Sequence, residues 1–387
     1  MAVTTIEPNN KLIQFTKQIN REFVRQNMFS PYMGEGLSAI IRIRNELKAG
    51  GEDMNIPLVT RLQGAGVATT TLVGNEERID NYGMRLRLEW ARHAVVTTKA
   101  ESQKDSADIF GEAKPLLSDW GKQLQRDEII AALMALPTET LPTSSGGVRV
   151  NGIQYDLAST AQLNAWQSQN SDRILYGAAT SNMTVNNHAT SLATVDGTAD
   201  KFTATNLALL KRIAMNADPA IRPYTTDDGY EHYVCFAGTN AFRDLKISLE
   251  TINKDARPRE GNGVSKNPIF QDGDQMYDGV IVRLVPEISK FVTNVWTSLL
   301  TAGLVGTPAG YTGRVEPVFL CGQQAAVFGW GQLAKPTFRK EDDYGFITGT
   351  GIEMAYGVGK MFKKHPNTSS NLKQWGVVTG FFAASAD

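Results

Sequence analysis

The longest helical pattern of apolar and polar positions runs over residues 102–136. After Pro115 apolar side chains recur at close to 3.6-residue spacing, and mostly charged or amide side chains occupy the opposite face. Proline is best tolerated in a first helical turn, so the pattern predicts a short helix through Glu112, a break, and a long helix ending before Pro137. Such a helix needs a sheet to lie on. Its predicted apolar face consists of Leu116, Trp120, Leu124, Ile130 and Met134.

Two segments upstream alternate apolar and polar residues as strands do. They span 52–62, where Pro57 favours an edge strand, and 84–96. We interpret them as the two strands of one long hairpin with a glycine-rich tip over 64–83. Because a two-stranded ribbon is only marginally stable in water, it should rest on something outside its own hairpin; a mobile surface loop is the alternative. The second strand carries an apolar face of Met84, Leu86, Leu88 and Trp90.

An amphipathic helix is predicted near the start of the sequence, over 11–28. Its basic stripe consists of Lys17, Arg21 and Arg25. Such a stripe is most often a solvated face, and the alternative is a surface that faces packaged nucleic acid. A strand over 39–47 follows this helix.

The remainder of the chain predicts a mixed α/β part followed by late strands. The segment 138–202 is rich in Gly, Ser, Thr and Asn, and we interpret it as an extended, irregular insertion with one short helix over 160–170. Its polar character argues against a buried core element. Helices are predicted at 206–217, 240–249 and 323–330, and strands at 233–237, 279–286, 315–321, 354–362 and 375–382. This order predicts an α+β fold with segregated parts.

Composition and charge add few constraints. The 387 residues suffice for a sizeable core and two or three lobes. With 39 basic and 40 acidic residues the net charge is -1, so no strong field selects nucleic acid, a membrane or an acidic ligand. The 35 glycines suit a β-rich protein with many turns. The sequence predicts neither a membrane span nor a signal peptide.

The cysteines and histidines lack the spacing of metal sites. Cys235 and Cys321 each lie in a short apolar strand pattern, which favours buried free thiols over a disulfide or a metal ligand. The four histidines are scattered, and we expect them to be ordinary and partly exposed. They are His93, His188, His232 and His365.

The sequence contains no catalytic constellation that we recognise. The segment GVGKM at 357–361 falls short of a phosphate loop because Met361 stands where Ser or Thr would bind magnesium. Adjacent carboxylates such as Glu76 and Glu77, or those at 341–343, lie on polar stretches where they are normally solvated. We therefore expect no enzyme, no cofactor and no bound metal.

Several segments, in order along most of the chain, carry a family resemblance. They are LQGAGV and LVGNEE in the hairpin tip, EWARHAVVTTKAESQ, AKPLLSDWGKQLQRDEII in the long helix, IRPYTTDDGYEHYVCFAGTNAFRDLK, NPIF, GQQAAVFGWG and DYGFITGTGIEMAYGVGKMFK. Together they resemble tailed-bacteriophage major capsid proteins with the HK97-like fold, and more narrowly the family typified by the phage N-four major capsid protein. No single motif is specific, but their ordered co-occurrence is.

The resemblance implies an HK97-like architecture and a purely architectural role. The implied parts are an N-terminal arm (1–51), an extended β-hairpin loop (52–98), a peripheral domain with its sheet and the spine helix (99–205), a mainly axial α/β domain (206–332) and C-terminal strands returning to the peripheral domain (333–387). Candidate intersubunit contacts are Gly64, Gly66, Asn75, Glu76, Glu77, Arg78, Met84, Leu86, Leu88 and Trp90. The spine helix contributes Leu116, Trp120, Leu124 and Ile130, and the inner face Lys17, Arg21 and Arg25.

The implied function is a major capsid protein whose copies assemble, as hexamers and pentamers, into an icosahedral head shell around double-stranded phage DNA. Expected partners are further copies, a portal, scaffold or decoration proteins, and packaged DNA through non-specific contacts. Assembly is expected in the host bacterial cytoplasm, without a membrane. One alternative is a bacterial nanocompartment shell, which shares the fold. Another is a polysaccharide-acting enzyme, which would need two carboxylates about 5–10 Å apart in a cleft.

Overall fold

The computed structural model describes residues 25, 27–45, 52–59, 62, 64–77, 79, 81–104, 109–142, 149–225, 229–249, 274–290, 314–339, 343–365 and 368–384. The predicted helix over 11–28 lies almost entirely outside these residues. The described helices are α1 (Lys99–Lys104), α2 (Ala113–Met134), α3 (Thr160–Gln169), α4 (His188–Ala193), α5 (Ala204–Asn216) and α6 (Thr239–Ser248). The predicted long helix is therefore confirmed as α2, with Pro115 in its first turn.

Most described strands belong to two large sheets. In chain order they are β1 (Met33–Gly34), β2 (Ile41–Arg44), β3 (Asp53–Val59), β4 (Asn81–Arg87), β5 (Glu89–Thr98), β6 (Val150–Asn151), β7 (Ile174–Tyr176), β8 (Tyr224–Thr225), β9 (Glu231–Ala237), β10 (Asp274–Tyr277), β11 (Val280–Leu284), β12 (Arg314–Cys321), β13 (Ala326–Arg339), β14 (Ile347–Lys360), β15 (Phe362–His365), β16 (Thr368–Gln374) and β17 (Val377–Ala384). The α+β class expected from the sequence is confirmed.

The first sheet has the strand order β1-β2-β13-β14-β5, and β6 pairs with β14. Its centre is the long antiparallel pair β13–β14, and β5 runs antiparallel along the other edge of β14. Helix α2 packs on this sheet, as expected of so long a helix. The approach is close because Gly121 faces β14, where a Cβ would lie 3.5 Å from the Cε atom of Met354.

The second sheet has the strand order β10-β11-β9-β12-β17-β7, and β8 pairs with β9. Helices α5 and α6 cover one of its faces, where Leu207, Leu210 and Leu245 pack with Val318 and Phe382. The resemblance implied that C-terminal strands within 333–387 return to the peripheral domain that contains the long helix. Strand β14 does return there, but β17 lies inside the second sheet. Its run VVTGFFAA is buried at every position, which is typical of a strand covered on both faces.

One hydrophobic cluster joins the two sheets and the last turns of α2. Ile129 and Leu133 of the helix belong to the same cluster as Phe328 of the first sheet and Phe236 and Phe319 of the second. Both sheets therefore share a core, and burial of this apolar surface is the main force holding them together.

The described part of the segment 138–202, residues 138–142 and 149–202, contains many buried residues, so the expectation of an irregular polar insertion without a buried core element is wrong. Helix α3 falls where it was predicted and begins with a capping box between Ser159 and Gln162. One pair of buried polar side chains lies inside the segment: the Nε2 atom of Gln167 donates to the Oγ atom of Ser191 at 2.7 Å. Its buried members include Leu163, Trp166, Ile174, Leu175, Tyr176 and Phe202.

The predicted helix over 323–330 is also wrong, because β13 begins at Ala326 and runs through this segment. Residues 326–329 are buried on both faces of the sheet, so their apolar run shows no alternation. A short apolar run of this kind fits a buried strand and a buried helix equally well.

Candidate functional site

The hairpin predicted from the sequence is formed by β3 and β4, which pair from Asp53–Arg87 to Val59–Asn81. Pro57 lies opposite Gly83, and within the described chain β3 pairs with β4 alone, so the missing N–H of the proline breaks no ladder. The predicted second strand, however, is two strands. The chain leaves the hairpin at Leu88 and enters the first sheet as β5.

This break changes the role of the predicted apolar face. The side chains of Met84 and Leu86 are fully buried within the subunit, packed with Val327, Met361 and Phe362. Leu88 is half-buried beside them. The prediction that Met84, Leu86 and Leu88 contact a neighbouring subunit is therefore corrected, because the subunit's own residues cover these side chains.

Trp90 differs from the other members of that face. It lies on β5 and leaves 48% of its surface exposed. Of the four residues, it is the one whose side chain remains available to a neighbour.

The hairpin tip is organised by carboxylates that accept backbone hydrogen bonds. Glu77 accepts from the amide of Gly64 at 2.6 Å, and Glu76 accepts from the amide of Gly74 at 2.7 Å. Asn75 closes a turn, since its amide donates to the carbonyl of Leu72 at 3.0 Å. Of the predicted contact residues, these three polar ones and Gly64 thus shape the tip.

Positive φ angles occur in the tip at Gly66 (75°) and Gly74 (87°), a region that L side chains rarely adopt. Both glycines are therefore needed for the backbone path of the tip. Arg78, the remaining candidate there, lies outside the described residues.

The tip also presents apolar side chains that the sequence analysis did not single out. Leu72 is 68% exposed, Val73 is 78% exposed, and Ile79 is exposed nearby. The signal was present in the sequence as LV between Thr71 and Gly74, but a dipeptide has no periodicity to detect. Leu72 and Val73 thus form an adjacent pair of exposed apolar side chains in the tip, and contiguous exposed apolar surface is typical of interaction sites.

The spine helix buries most of the predicted face. Ile130 and Met134 belong to the hydrophobic core, and the half-buried Trp120 and Leu124 pack against it. Leu116 is the exception, since it is 47% exposed. Ala113, Leu117 and Gly121 are buried beyond the prediction, and Gly121 allows the close approach to β14.

Arg126, assigned to the polar face of the helix, is in fact buried. Its Nη1 atom lies 3.2 Å from the Oε1 atom of Glu287 and also donates to the carbonyl oxygen of Arg25 at 3.2 Å. The buried ion pair joins α2 to the chain that follows β11. Arg25 is exposed, whereas Lys17 and Arg21 lie outside the described residues.

Two other buried basic groups were not foreseen. His188 is fully buried between the hydroxyl groups of Tyr155 (2.5 Å) and Tyr176 (2.6 Å), and burial lowers its pKa to about 3. The expectation of partly exposed histidines is wrong for this residue. Lys360 is buried with its Nζ atom 5.8 Å from the centre of the Trp166 ring, and burial lowers its pKa to about 7.

Both cysteines are free and fully buried, as the sequence predicts. Burial raises the pKa of Cys321 to about 12 and raises that of Cys235 well above its ordinary value. We expect neither thiol to react with a bulky maleimide in the native protein, because reaction requires an accessible thiolate. Mass spectrometry should show no adduct before denaturation and two per chain after it. Rapid native labelling of either cysteine would contradict this placement.

The described ranges of the chain contain neither a cluster of metal-binding side chains nor a helix suited to span a membrane. Within them, no three His, Cys, Asp or Glu side chains gather as potential metal ligands. No helix in those ranges combines the length and apolar character needed to span a bilayer.

Comparison with known proteins gives one consistent result. A family model described as phage capsid protein matches residues 6–385. The capsid protein of cyanophage Pam1 is 33% identical, with a TM-score of 0.84 and full coverage of both chains. The capsid protein of Ralstonia phage GP4 is 19% identical, with a TM-score of 0.68, and the match covers 100% of this chain and 99% of that one. The head protein of Helicobacter pylori phage KHP40 is 14% identical, with a TM-score of 0.62, and the match covers 98% of this chain and 96% of that one. No curated protein matches the chain.

The two less similar structures establish the fold, which is HK97-like, as the resemblance implied. The family match sets aside both the polysaccharide-acting enzyme and the nanocompartment shell. The protein is therefore structural and not enzymatic, and it self-associates into a shell. The chain belongs to the phage capsid protein family and is a major capsid protein of a virion head.

Proposed function

We propose that copies of this chain close an icosahedral head shell, as hexamers and pentamers, by seating the hairpin tip of one subunit on the next. In this proposal the hairpin is the extended loop, the first sheet with α2 forms the peripheral domain, and the second sheet with α5 and α6 forms the axial domain. The observation that carries it is the exposed pair Leu72 and Val73 on a tip whose supporting hairpin is held by the subunit's own core.

The outer half of the first sheet is the receiving surface that the structure favours. The face of β14 that accepts the subunit's own hairpin at Gly357 continues to Gly351 and Gly349. Thr337 and Ala94 flank Gly351, and Val96 flanks Gly349. The exposed side chain of Val96 could cover part of the apolar tip of a second copy.

Charge supports the same pairing. Arg92 and Lys335 are exposed on either side of Glu353 in this part of the sheet, in register with it. The tip carries the negatively charged side chains of Glu76 and Glu77. Opposite charges at the edge of such a contact guide the register of association more than they add affinity.

We further propose that the shell encloses double-stranded DNA and assembles in the host bacterial cytoplasm, with a portal and scaffold or decoration proteins as partners. The basic residues Lys17, Arg21 and Arg25 would meet DNA through non-specific phosphate contacts. Such contacts would lie on the inner face of the shell.

Replacing these three residues by Gln should leave the subunit folded and lower the amount of DNA retained in shells. Arg25 is exposed, and an exposed surface charge generally contributes only about 0–1 kcal/mol to stability. Circular dichroism melting tests the first expectation, and nuclease-protected DNA per purified shell tests the second. Loss of soluble folded protein, or unchanged DNA content, would count against this role.

Electron microscopy of the full-length protein expressed alone tests the central proposal. Closed shells of regular diameter, or tubes built from the same contacts, are expected. Monodisperse subunits that remain unassembled at high concentration would contradict a tip contact strong enough to close the shell.

A further inference from the structure

Glycines form part of the surface on which the hairpin rests. The Leu86 and Leu88 side chains lie over glycines of β13 and β14, where an added Cβ would come within 3.3 Å of them. Val327, Met361 and Phe362 complete this apolar contact. Hydrophobic attraction is non-directional, so this packing holds the hairpin against the sheet, and directional hydrogen bonds define its angle more sharply. The glycines are Gly329, Gly331, Gly357 and Gly359.

At the end of the hairpin, the side chain of Asn151 forms two directional hydrogen bonds with the backbone of Arg87. The Oδ1 atom of Asn151 accepts from the amide of Arg87 at 2.9 Å, and its Nδ2 atom donates to the carbonyl oxygen of the same residue at 2.9 Å. The Asn151 side chain thus pairs with Arg87 as a neighbouring strand would. Asn151 is buried and is itself paired with Gly359 in the first sheet. A Cβ at position 357 would overlap the Arg87 carbonyl, so the fit there is close.

The other hydrogen bonds at the base are less suited to setting this angle. The ion pair between Arg87 and Asp53 (2.8 Å) joins the two strands of the hairpin to each other. Two bonds do reach the body of the subunit: Arg87 Nη1 donates to the Pro142 carbonyl at 3.1 Å, and the Tyr82 hydroxyl donates to Glu139 at 3.3 Å. The second is exposed to water and long, so it constrains the geometry weakly. Asn151 makes two part-buried bonds, one to the N–H and one to the C=O of Arg87, so it holds the peptide groups on both sides of that residue.

We propose that Asn151 is the positioning residue that fixes the angle between the hairpin and the first sheet, and so aims the tip at its receiving surface. This inference rests on the proposed role of the tip in assembly. Strand β3 has seven residues. At about 3.3 Å per residue the hairpin is about 23 Å long, so a tilt of about 10° at its base displaces the far end by about 4 Å. A displacement of that size would take Leu72 and Val73 out of register with a neighbouring surface.

A distance that reports on this angle can be measured in the full-length, unassembled subunit by pulsed electron–electron double resonance. Nitroxide labels are placed on Thr70→Cys in the tip and Gln123→Cys on α2, both exposed positions. Asn151→Ala should broaden the distance distribution at least about twofold, or move its mean by about 4 Å, relative to the unmodified chain. The same variant should yield irregular or open shells by electron microscopy.

The matched control is Asn206→Ala, since Asn206 is a buried asparagine whose Nδ2 atom donates to the Lys201 carbonyl at 2.7 Å. It should lower the melting temperature without altering the tip distance. If Asn151→Ala does not fold, Asn151→Asp keeps the acceptor but loses the donor to the Arg87 carbonyl, and it should still broaden the distribution.

An unchanged distance in the folded Asn151 variants would overturn the proposal, whether or not shells form. A changed distance with normal shells would support the positioning role of Asn151 and would count instead against the role of the tip in assembly.

Discussion

Subunits carrying Leu72→Asp together with Val73→Asp are expected to fold normally and to form no regular shells. Both side chains are mostly exposed in the subunit, so the substitutions remove little from its own core. In a shell each would be buried at a contact, and full burial of Leu or Val is worth about 1.5–3 kcal/mol. Two buried, unpaired carboxylates cost several more. The loss recurs at every copy of the contact, so closure should fail outright.

The matched control is Thr69→Asp with Thr70→Asp, which adds the same charge to exposed polar positions of the same tip. These shells should still form, with at most a shift in their salt dependence. Circular dichroism and melting establish folding in each variant, and electron microscopy with sedimentation scores the shells. Regular shells from the Leu72/Val73 variant would make the tip dispensable. Unfolding of that variant would make the tip part of the subunit core.

The sequence predicts those elements that have a clear period and caps. The long helix α2, the pair β3–β4 with Pro57 at its edge, and helices α5 and α6 all lie within a few residues of their predicted positions. In each case local propensity and burial agree. The resemblance of ordered segments then predicts the HK97-like fold as a whole, which periodicity alone does not.

Hydrophobic periodicity does not predict buried positions that are occupied by small residues or by polar residues paired with each other. The apolar period over α2 includes Leu116, which is exposed, and omits Gly121, which is buried and allows close approach to β14. Similarly, Gln167 is fully buried because the Thr184 carbonyl and the Ser191 hydroxyl satisfy its amide. Composition gives no sign of such pairing, and 138–202 therefore resembles a loop.

The candidate site was predicted in outline and not in detail. The hairpin and its glycine-rich tip were found, but alternation continues from Met84 to Trp90 across a change of sheet at Leu88 that the sequence does not mark. Asn151 could not have been found, since its role depends on a backbone contact with Arg87, 64 residues away. Long-range backbone pairing by a side chain leaves no local pattern.

Replacing Lys360 by Met is expected to stabilise the subunit near neutral pH by on the order of a few kcal/mol, because each pKa unit corresponds to about 1.4 kcal/mol. The side chain is fully buried, and within the described residues its Nζ atom has no hydrogen-bond partner. Burial lowers the pKa of Lys360 from 10.5 to about 7, so folding opposes the charged form. Methionine fills a similar volume and can keep the contact with Trp166 without a charge.

The pH dependence of this gain has a definite sign. Between about pH 7 and 10.5 the unfolded chain binds a proton at Lys360 that the folded chain does not, so the wild-type free energy of unfolding rises with pH over this range. Below about pH 7 both states are charged, and the cost of burial is fully expressed. The advantage of Lys360→Met should therefore be greatest below pH 7 and should fall toward zero near pH 10.5.

The titratable groups around Lys360 do not reverse this expectation. The neighbouring thiol of Cys321 has its pKa raised to about 12 by burial, so it stays neutral over the whole range. Beyond the Trp166 ring lies His188, whose pKa is lowered to about 3 by burial, so it too remains uncharged. Tyr155 and Tyr176, whose hydroxyl groups are hydrogen-bonded to the His188 ring, have pKa values raised by burial. Lys360 is thus the group in this cluster that changes charge near neutrality.

Urea unfolding of the unassembled subunit at pH 6, 8 and 10 measures the effect, with Lys122→Met on the exposed face of α2 as the control. The control should change the free energy of unfolding by less than about 0.5 kcal/mol at each pH, because exposed surface substitutions rarely exceed that. A gain for Lys360→Met that does not depend on pH would show that packing, and not charge, is responsible. A loss of stability would show that the Lys360 ammonium group is paired and favourable in the folded subunit.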